Sequence, residues 1–238
     1  NFLSLVGTGT VVLNNTVQGS IATGLTTGNP AAPTIRVGPG ATLAGIATIG
    51  TGSEGGIVTV LPGGTLAIGP QSGTLSAGQA NLTVGGNTTL QTDSNLRVRI
   101  TGGDPGTNGA STNPTFPGQT TNTGLVLTAG TLSVADGANI VIDGTGTMFT
   151  LGQVYSYVIA QQATGTPTIG TLQQSDFSTI GFVAENFSLT TSGGSVILTF
   201  TPVPEPATVL GIAAAALGVG GYVRRRLRGQ AAEPTTAA

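Results

Sequence analysis

The chain has no cysteine, histidine, lysine or tryptophan, and only 7% of its 238 residues carry a charge. Each absence removes a class of chemistry. Without cysteine there is no disulfide framework and no thiolate metal centre. Without histidine, cysteine and lysine the common general base, the thiol nucleophile and the Schiff-base amine are missing. A Ser–His–Asp triad cannot be assembled. Basic residues are scarce over residues 1–201, where Arg36, Arg97 and Arg99 stand against seven acids, a net charge of 3 − 7 = −4. Such a surface has no electrostatic footprint for nucleic acid.

What the chain does have is glycine, 40 residues of it, together with abundant threonine and a 38% apolar fraction. The apolar residues are patterned, which argues against disorder. From Thr10 onward, short β-prone runs alternate with Gly, Asn and Pro turns, and no 3.6-residue period appears before the C-terminal region. The runs resemble one another. Ile35-Arg36-Val37 leads into Gly38-Pro39-Gly40-Ala41-Thr42-Leu43, and Val58-Thr59-Val60 into Leu61-Pro62-Gly63-Gly64-Thr65-Leu66. Leu82-Thr83-Val84 leads into Gly85-Gly86-Asn87-Thr88-Thr89-Leu90, and Leu132-Ser133-Val134 into Ala135-Asp136-Gly137-Ala138-Asn139-Ile140.

The spacing is 23 residues from Val37 to Val60, 24 to Val84, and 50, about two further periods, to Val134. Two or three short strands per unit of that length predict a parallel β-helix, with inward aliphatics stacked from coil to coil. The third turn place, held by Gly40, Gly63, Asn87 and Gly137, suits a corner that needs φ > 0. An antiparallel sandwich would also give frequent short strands, but it does not require similar units at one spacing.

The chain divides as 1–101, solenoid repeats; 102–123, a Pro/Gly-rich insertion; and 124–201, continued solenoid with capping strands. Gly152 to Ile159 alternates as a strand, and Ser195 to Phe200 is the expected last strand. Phe177, Phe182, Phe187 and Phe200 gather late, where a solenoid needs a bulky closing cap.

Carboxylate chemistry is the catalytic option left open. Parallel β-helices include polysaccharide lyases and glycosidases, and Asp93, Asp136 and Asp143 are the candidate acids, with Arg97 or Arg99 as charge stabiliser. None sits in a recognisable motif, and single acids in turns usually cap or solvate a loop. No D-x-D pair and no G-G-x-G-x-D calcium repeat occurs. The reading is non-enzymatic and free of cofactors and metals; the alternative is a carbohydrate-active β-helix enzyme using carboxylates.

Val203 to Arg228 is unlike the rest. Val203, Pro204, Glu205 and Pro206 form a stiff, proline-bracketed acid; Ala207 to Val223 runs seventeen residues without a charge; Arg224, Arg225, Arg226 and Arg228 follow, four of the seven basic residues. A helix over 207–223 would be about 25 Å long against a hydrocarbon core of roughly 30 Å, a short membrane span whose arginines reach the phosphate level. Positive flanks stay in the cytoplasm, which puts the preceding residues outside. The sequence starts at Asn1 rather than at a methionine, and export requires a signal that we expect upstream.

This tripartite order resembles the PEP-CTERM sorting signal of Gram-negative bacteria. The resemblance covers about 27 residues at the chain's end, and the tail at 229–238, expected to be disordered, is longer than usual for that family. It implies recognition of Pro204, Glu205 and Pro206 by an exosortase, a membrane-embedded cysteine enzyme. A transient single-pass inner-membrane intermediate would then pass to the cell surface or extracellular matrix. Residues 63–90, with Gly69-Pro70 and Ser72-Gly73-Thr74-Leu75, are similar to autotransporter-type strand repeats, which implies a right-handed β-helix and assigns no catalytic residue. The expected role is structural or adhesive, with exopolysaccharide as a partner for a Thr/Asn-lined β face.

Overall fold

A computed structural model of the chain describes residues 2–5, 10–13, 34–50, 56–69, 81–101 and 122–205. The strands are short because each aliphatic run is closed within a few residues by Gly, Pro, Asn or Asp. The first coil gives β1 (Phe2–Leu5) and β2 (Thr10–Leu13), the second β3 (Thr34–Val37), β4 (Thr42–Gly45) and β5 (Thr48–Ile49). The third gives β6 (Ile57–Val60), β7 (Thr65–Ile68) and β8 (Asn81–Val84), and the fourth β9 (Thr88–Leu90), β10 (Asn95–Arg99) and β11 (Gly124–Leu127). β12 (Leu132–Val134), β13 (Asn139–Asp143) and β14 (Tyr155–Gln162) make the fifth. β15 (Thr168–Ile169), β16 (Phe177–Ile180) and the pair β17 (Ala184–Ser192) and β18 (Ser195–Pro202) complete the series.

From β3 to β17 successive strands move from one sheet to the next in a fixed rotation. The first sheet is ordered β1-β3-β6-β9-β12-β15, the second β2-β4-β7-β10-β13-β16, and the third β5-β8-β11-β14-β18-β17. Every strand-to-strand pairing is parallel except those made by β18; single antiparallel bridges also join Gly45 to Gly69 and Ile100 to Asn122. The described residues are therefore nearly all β, in two parallel sheets and a third that is parallel up to β14, wound as in a β-solenoid.

Register places like on like in the interior. The first sheet stacks Val37, Val60, Leu90, Val134 and Ile169. The second stacks Leu43, Leu66, Leu96, Ile140 and Phe177. Nearly all of these are buried, and burial of each Leu or Ile is worth roughly 1.5–3 kcal/mol.

The expected constant period does not hold. Members of the first-sheet column are 23, 30, 44 and 35 residues apart, because connections of unequal length join the second sheet to the third. Val84 consequently belongs to the third sheet, in the column Ile49, Val84, Leu127 and Gln162. Leu90 is the true counterpart of Val60. The corner that follows Leu90 is Gln91-Thr92-Asp93-Ser94, so Asp93, not Asn87, holds the third turn place.

These corners form a ladder of their own. The Gly40 N–H donates to Gly63 O (2.8 Å), Gly63 N–H to Asp93 O (2.8 Å), and Asp93 N–H to Gly137 O (3.0 Å). All four residues have positive φ, at 73°, 74°, 59° and 67° in that order. Pro at the second place and Gly at the third, in Pro39-Gly40 and Pro62-Gly63, is the signature of a type II turn.

The far end is closed by aromatics, as the late phenylalanines led us to expect. Phe177, last in its column, stacks on Phe187 of β17 with centroids 5.2 Å apart and planes 5° from parallel. Phe200 packs against Tyr157, Phe182 and Phe187. The β17–β18 pair runs antiparallel along β14, which ends the parallel ladder.

Among the described residues no helix is long and apolar enough to cross a membrane, and the expected span at 207–223 lies outside those residues. Most of the expected 102–123 insertion lies outside them too. The chain divides into two compact units, Asn1–Pro202 and Val203–Ala238.

The aliphatic rule breaks at Thr88. Thr88 stands inward between Val58 and Leu132, fully buried, and its hydroxyl has no partner. A buried hydroxyl without a hydrogen bond costs about 1–3 kcal/mol. Thr88→Val, nearly the same shape, is expected to raise stability by about 1 kcal/mol in urea unfolding, and a loss would refute this account of the column.

Candidate functional site

The acids put forward as catalytic candidates sit at corners and strand ends. Asp143 ends β13, buried, and its carboxylate is fully engaged: Oδ2 accepts from the Arg97 guanidinium on the neighbouring β10, and Oδ1 accepts from the Thr145 N–H (3.1 Å) and hydroxyl (2.7 Å). Burial is the largest influence on this carboxyl and works against its ionisation. The Thr145 hydroxyl, Arg97 and the Thr145 amide outweigh it together, and hold the group below its ordinary value.

Asp136 is exposed at the corner after β12, where its Oδ1 accepts from the Thr171 N–H of the next coil at 2.6 Å. Asp93 is exposed on the corresponding corner one coil earlier and serves through its backbone, as described above. Arg99 lies on β10 with its N–H bonded to the Thr123 hydroxyl at 2.8 Å. The structure thus brings Arg97 and Asp143 together as an ion pair. No group of three or more potential metal-ligating side chains occurs among the described residues.

The outer face of the first sheet carries a row of small polar groups. Thr59, Thr89, Ser133 and Thr168 follow one another in register, so hydroxyls recur about every 4.8 Å along it. Thr42, Thr65, Asn95 and Asn139 make a second row at the start of the second-sheet strands. The repeat's Thr/Asn signal pointed to such stacking; it misplaced only Thr88, which faces inward.

Of the sorting motif, Val203 to Glu205 are described. β18 ends at Pro202, and Val203 is half-buried while Pro204 and Glu205 are exposed, outside any strand. Pro206 and the arginines Arg224, Arg225, Arg226 and Arg228 lie outside the described residues.

Two outcomes follow from the roles of the acids. Because the folded-state pKa of Asp143 is depressed, its contribution is present above the unfolded value near 3.8 and is lost as pH falls through the folded value. Asp143→Asn should cost about 1–2 kcal/mol at neutral pH and flatten the acid limb of a stability–pH curve below pH 4. At the neighbouring corner, Asp93→Gly should hold or gain stability, whereas Asp93→Val should lose about 1–2 kcal/mol, since β-branched residues resist the left-handed region. Thermal melts of the two variants compare them directly, and equal effects would overturn the assignment of a strained corner. Comparison with known protein families, with curated proteins and with solved structures finds no match to this chain.

Proposed function

We propose that the protein is an exported, non-enzymatic, right-handed β-solenoid that serves a structural or adhesive role at the cell surface or in the extracellular matrix. A C-terminal PEP-CTERM-type signal delivers it. The observation that carries the reading is the order of three segments: the motif Val203–Pro206, the uncharged run 207–223, and the arginines at 224–226 and 228. In this reading the run forms a membrane helix, the arginines stay in the cytoplasm, and an exosortase-type enzyme acts at the motif. The exposure of Pro204 and Glu205, just past the last strand, supports their accessibility to such an enzyme.

The β portion supports a role as cargo. Asp143 and Asp136 are engaged in holding neighbouring coils, which favours a structural over a catalytic role. The rows of Thr, Ser and Asn on the outer faces offer hydroxyls and amides to a neutral sugar polymer, and the low charge attracts no polyanion.

The test is fractionation of cells expressing the chain with an epitope after Ala238, with and without the processing enzyme. With it, the β portion should appear outside the cell without the epitope. Without it, or with Glu205→Ala, epitope and β portion should stay together in the inner membrane. Protein found in the cytosol under both conditions would defeat the proposal.

A further inference from the structure

The connection between β13 and β14, residues 144–154, carries no charge and leaves three of its four large apolar side chains exposed. Met148 is 94% exposed, Leu151 58% and Val154 43%. Ile180, 39% exposed, lies at the base of the same loop, where its carbonyl accepts from the Gly144 N–H at 2.9 Å. These are four of the five large apolar side chains exposed among the described residues; Ile57 is the other. Single exposed apolar residues need no explanation, but a cluster of them marks a contact surface.

The loop is held in place, so the exposure is not that of a loose segment. The Phe149 ring packs into the aromatic cap, 4.5 Å from Phe182, 5.2 Å from Tyr155 and 5.6 Å from Phe200. The Thr150 N–H donates to the Tyr155 hydroxyl at 2.9 Å. The Gly152 N–H donates to the Pro202 carbonyl at 2.8 Å. With Phe149 turned inward and Met148 and Leu151 turned outward, the loop has already completed the core and still presents an apolar surface.

The bond to Pro202 says which surface it meets. Pro202 is the last residue of β18, and the uncharged run starts five residues later at Ala207. A fully extended chain of that length reaches at most about 18 Å. Whatever surrounds the start of the run is therefore within that reach of the point where Gly152 is bonded. If 207–223 spans a bilayer, the lipid surface is that surrounding; this inference rests on the membrane reading of that run.

We propose that the 144–154 loop is a membrane-surface contact. While the chain is tethered, Met148, Leu151, Val154 and Ile180 enter the headgroup–acyl boundary of the outer leaflet of the inner membrane. They thereby keep the Pro204–Pro206 motif close to the bilayer, at the level of a membrane-embedded processing enzyme. The partner is phospholipid in general rather than anionic lipid, because the loop offers apolar groups and threonine hydroxyls but no cation.

The lack of native cysteine makes a single-site label unambiguous. The full chain carrying Met148→Cys, labelled with an environment-sensitive fluorophore, is inserted into phosphatidylcholine vesicles; Thr92→Cys, on an exposed corner, serves as comparison. Resistance to carbonate extraction reports the span separately. The expected result is a blue-shifted emission at position 148, quenched by lipids brominated near the headgroup and unchanged by high salt, with neither effect at position 92. Adding Leu151→Asp to the labelled chain should shift the emission back toward its value in water. A carbonate-resistant chain whose label at 148 is as water-exposed as that at 92 overturns the loop contact and leaves the span intact. A chain that carbonate removes overturns both.

Discussion

From β3 to β13 every strand but β5, which edges the third sheet, finds its backbone partners one coil above and one coil below, in three sheets at once. That parallel ladder governs the rest of the structure. Because three sheets must stay in register together, an inward residue in one coil faces its counterpart in the next, and aliphatic stacks on aliphatic. Every coil must also turn at the same place and by the same amount. The corners after β3, β6, β9 and β12 accordingly repeat a left-handed residue in the third place, each hydrogen-bonded to the next. Length can vary only between the strands, where a loop leaves the ladder and returns, and the coils differ in length for that reason.

A ladder of this kind does not end by itself. Its last strands would expose unpaired N–H and C=O groups and an open apolar core. The chain meets both problems with β17 and β18. Their antiparallel pairing along β14 replaces the parallel pattern, and a bulge between Glu185 and Ser188, with Asn186 at φ 55°, bends the outermost strand. That strand shows mostly polar side chains to solvent, and Phe187 covers Phe177 at the end of the second-sheet column. The buried Gln162 plays a related part. It ends the column of Ile49, Val84 and Leu127, accepts from the Leu132 N–H at 2.9 Å, and donates to Thr164 O at 2.9 Å.

With so few charges, two of the described acids take a place in this scheme. Asp143 ties β13 to β10 through Arg97, and Asp136 holds the backbone of the coil that follows it. The outer faces keep hydroxyls and amides in rows, which suits contact with an uncharged polymer better than with a polyanion. The cap loop then sets an apolar surface beside Pro202, where the β portion ends.

Much of this was legible from residues alone. Aliphatic-x-aliphatic runs followed by Pro-Gly corners, as in Val58 to Gly63, identify a short strand and a turn, because proline presets φ and glycine alone takes the left-handed place without strain. Late phenylalanines marked the cap, since only bulky rings close a core whose ladder has stopped. The sequence could not show that Val84 belongs to the third sheet, nor that Thr88 faces the core. A strand's sheet depends on the length of the loop before it, and the side it shows depends on register with the neighbouring coil. It also gave no hint that Asp93 would stand in a glycine column, because an aspartate in a turn looks like a solvated acid until the corners are superimposed. Local composition determined strand, turn and cap; which residues meet was decided by the stacking of coils, which joins positions 23 to 44 residues apart.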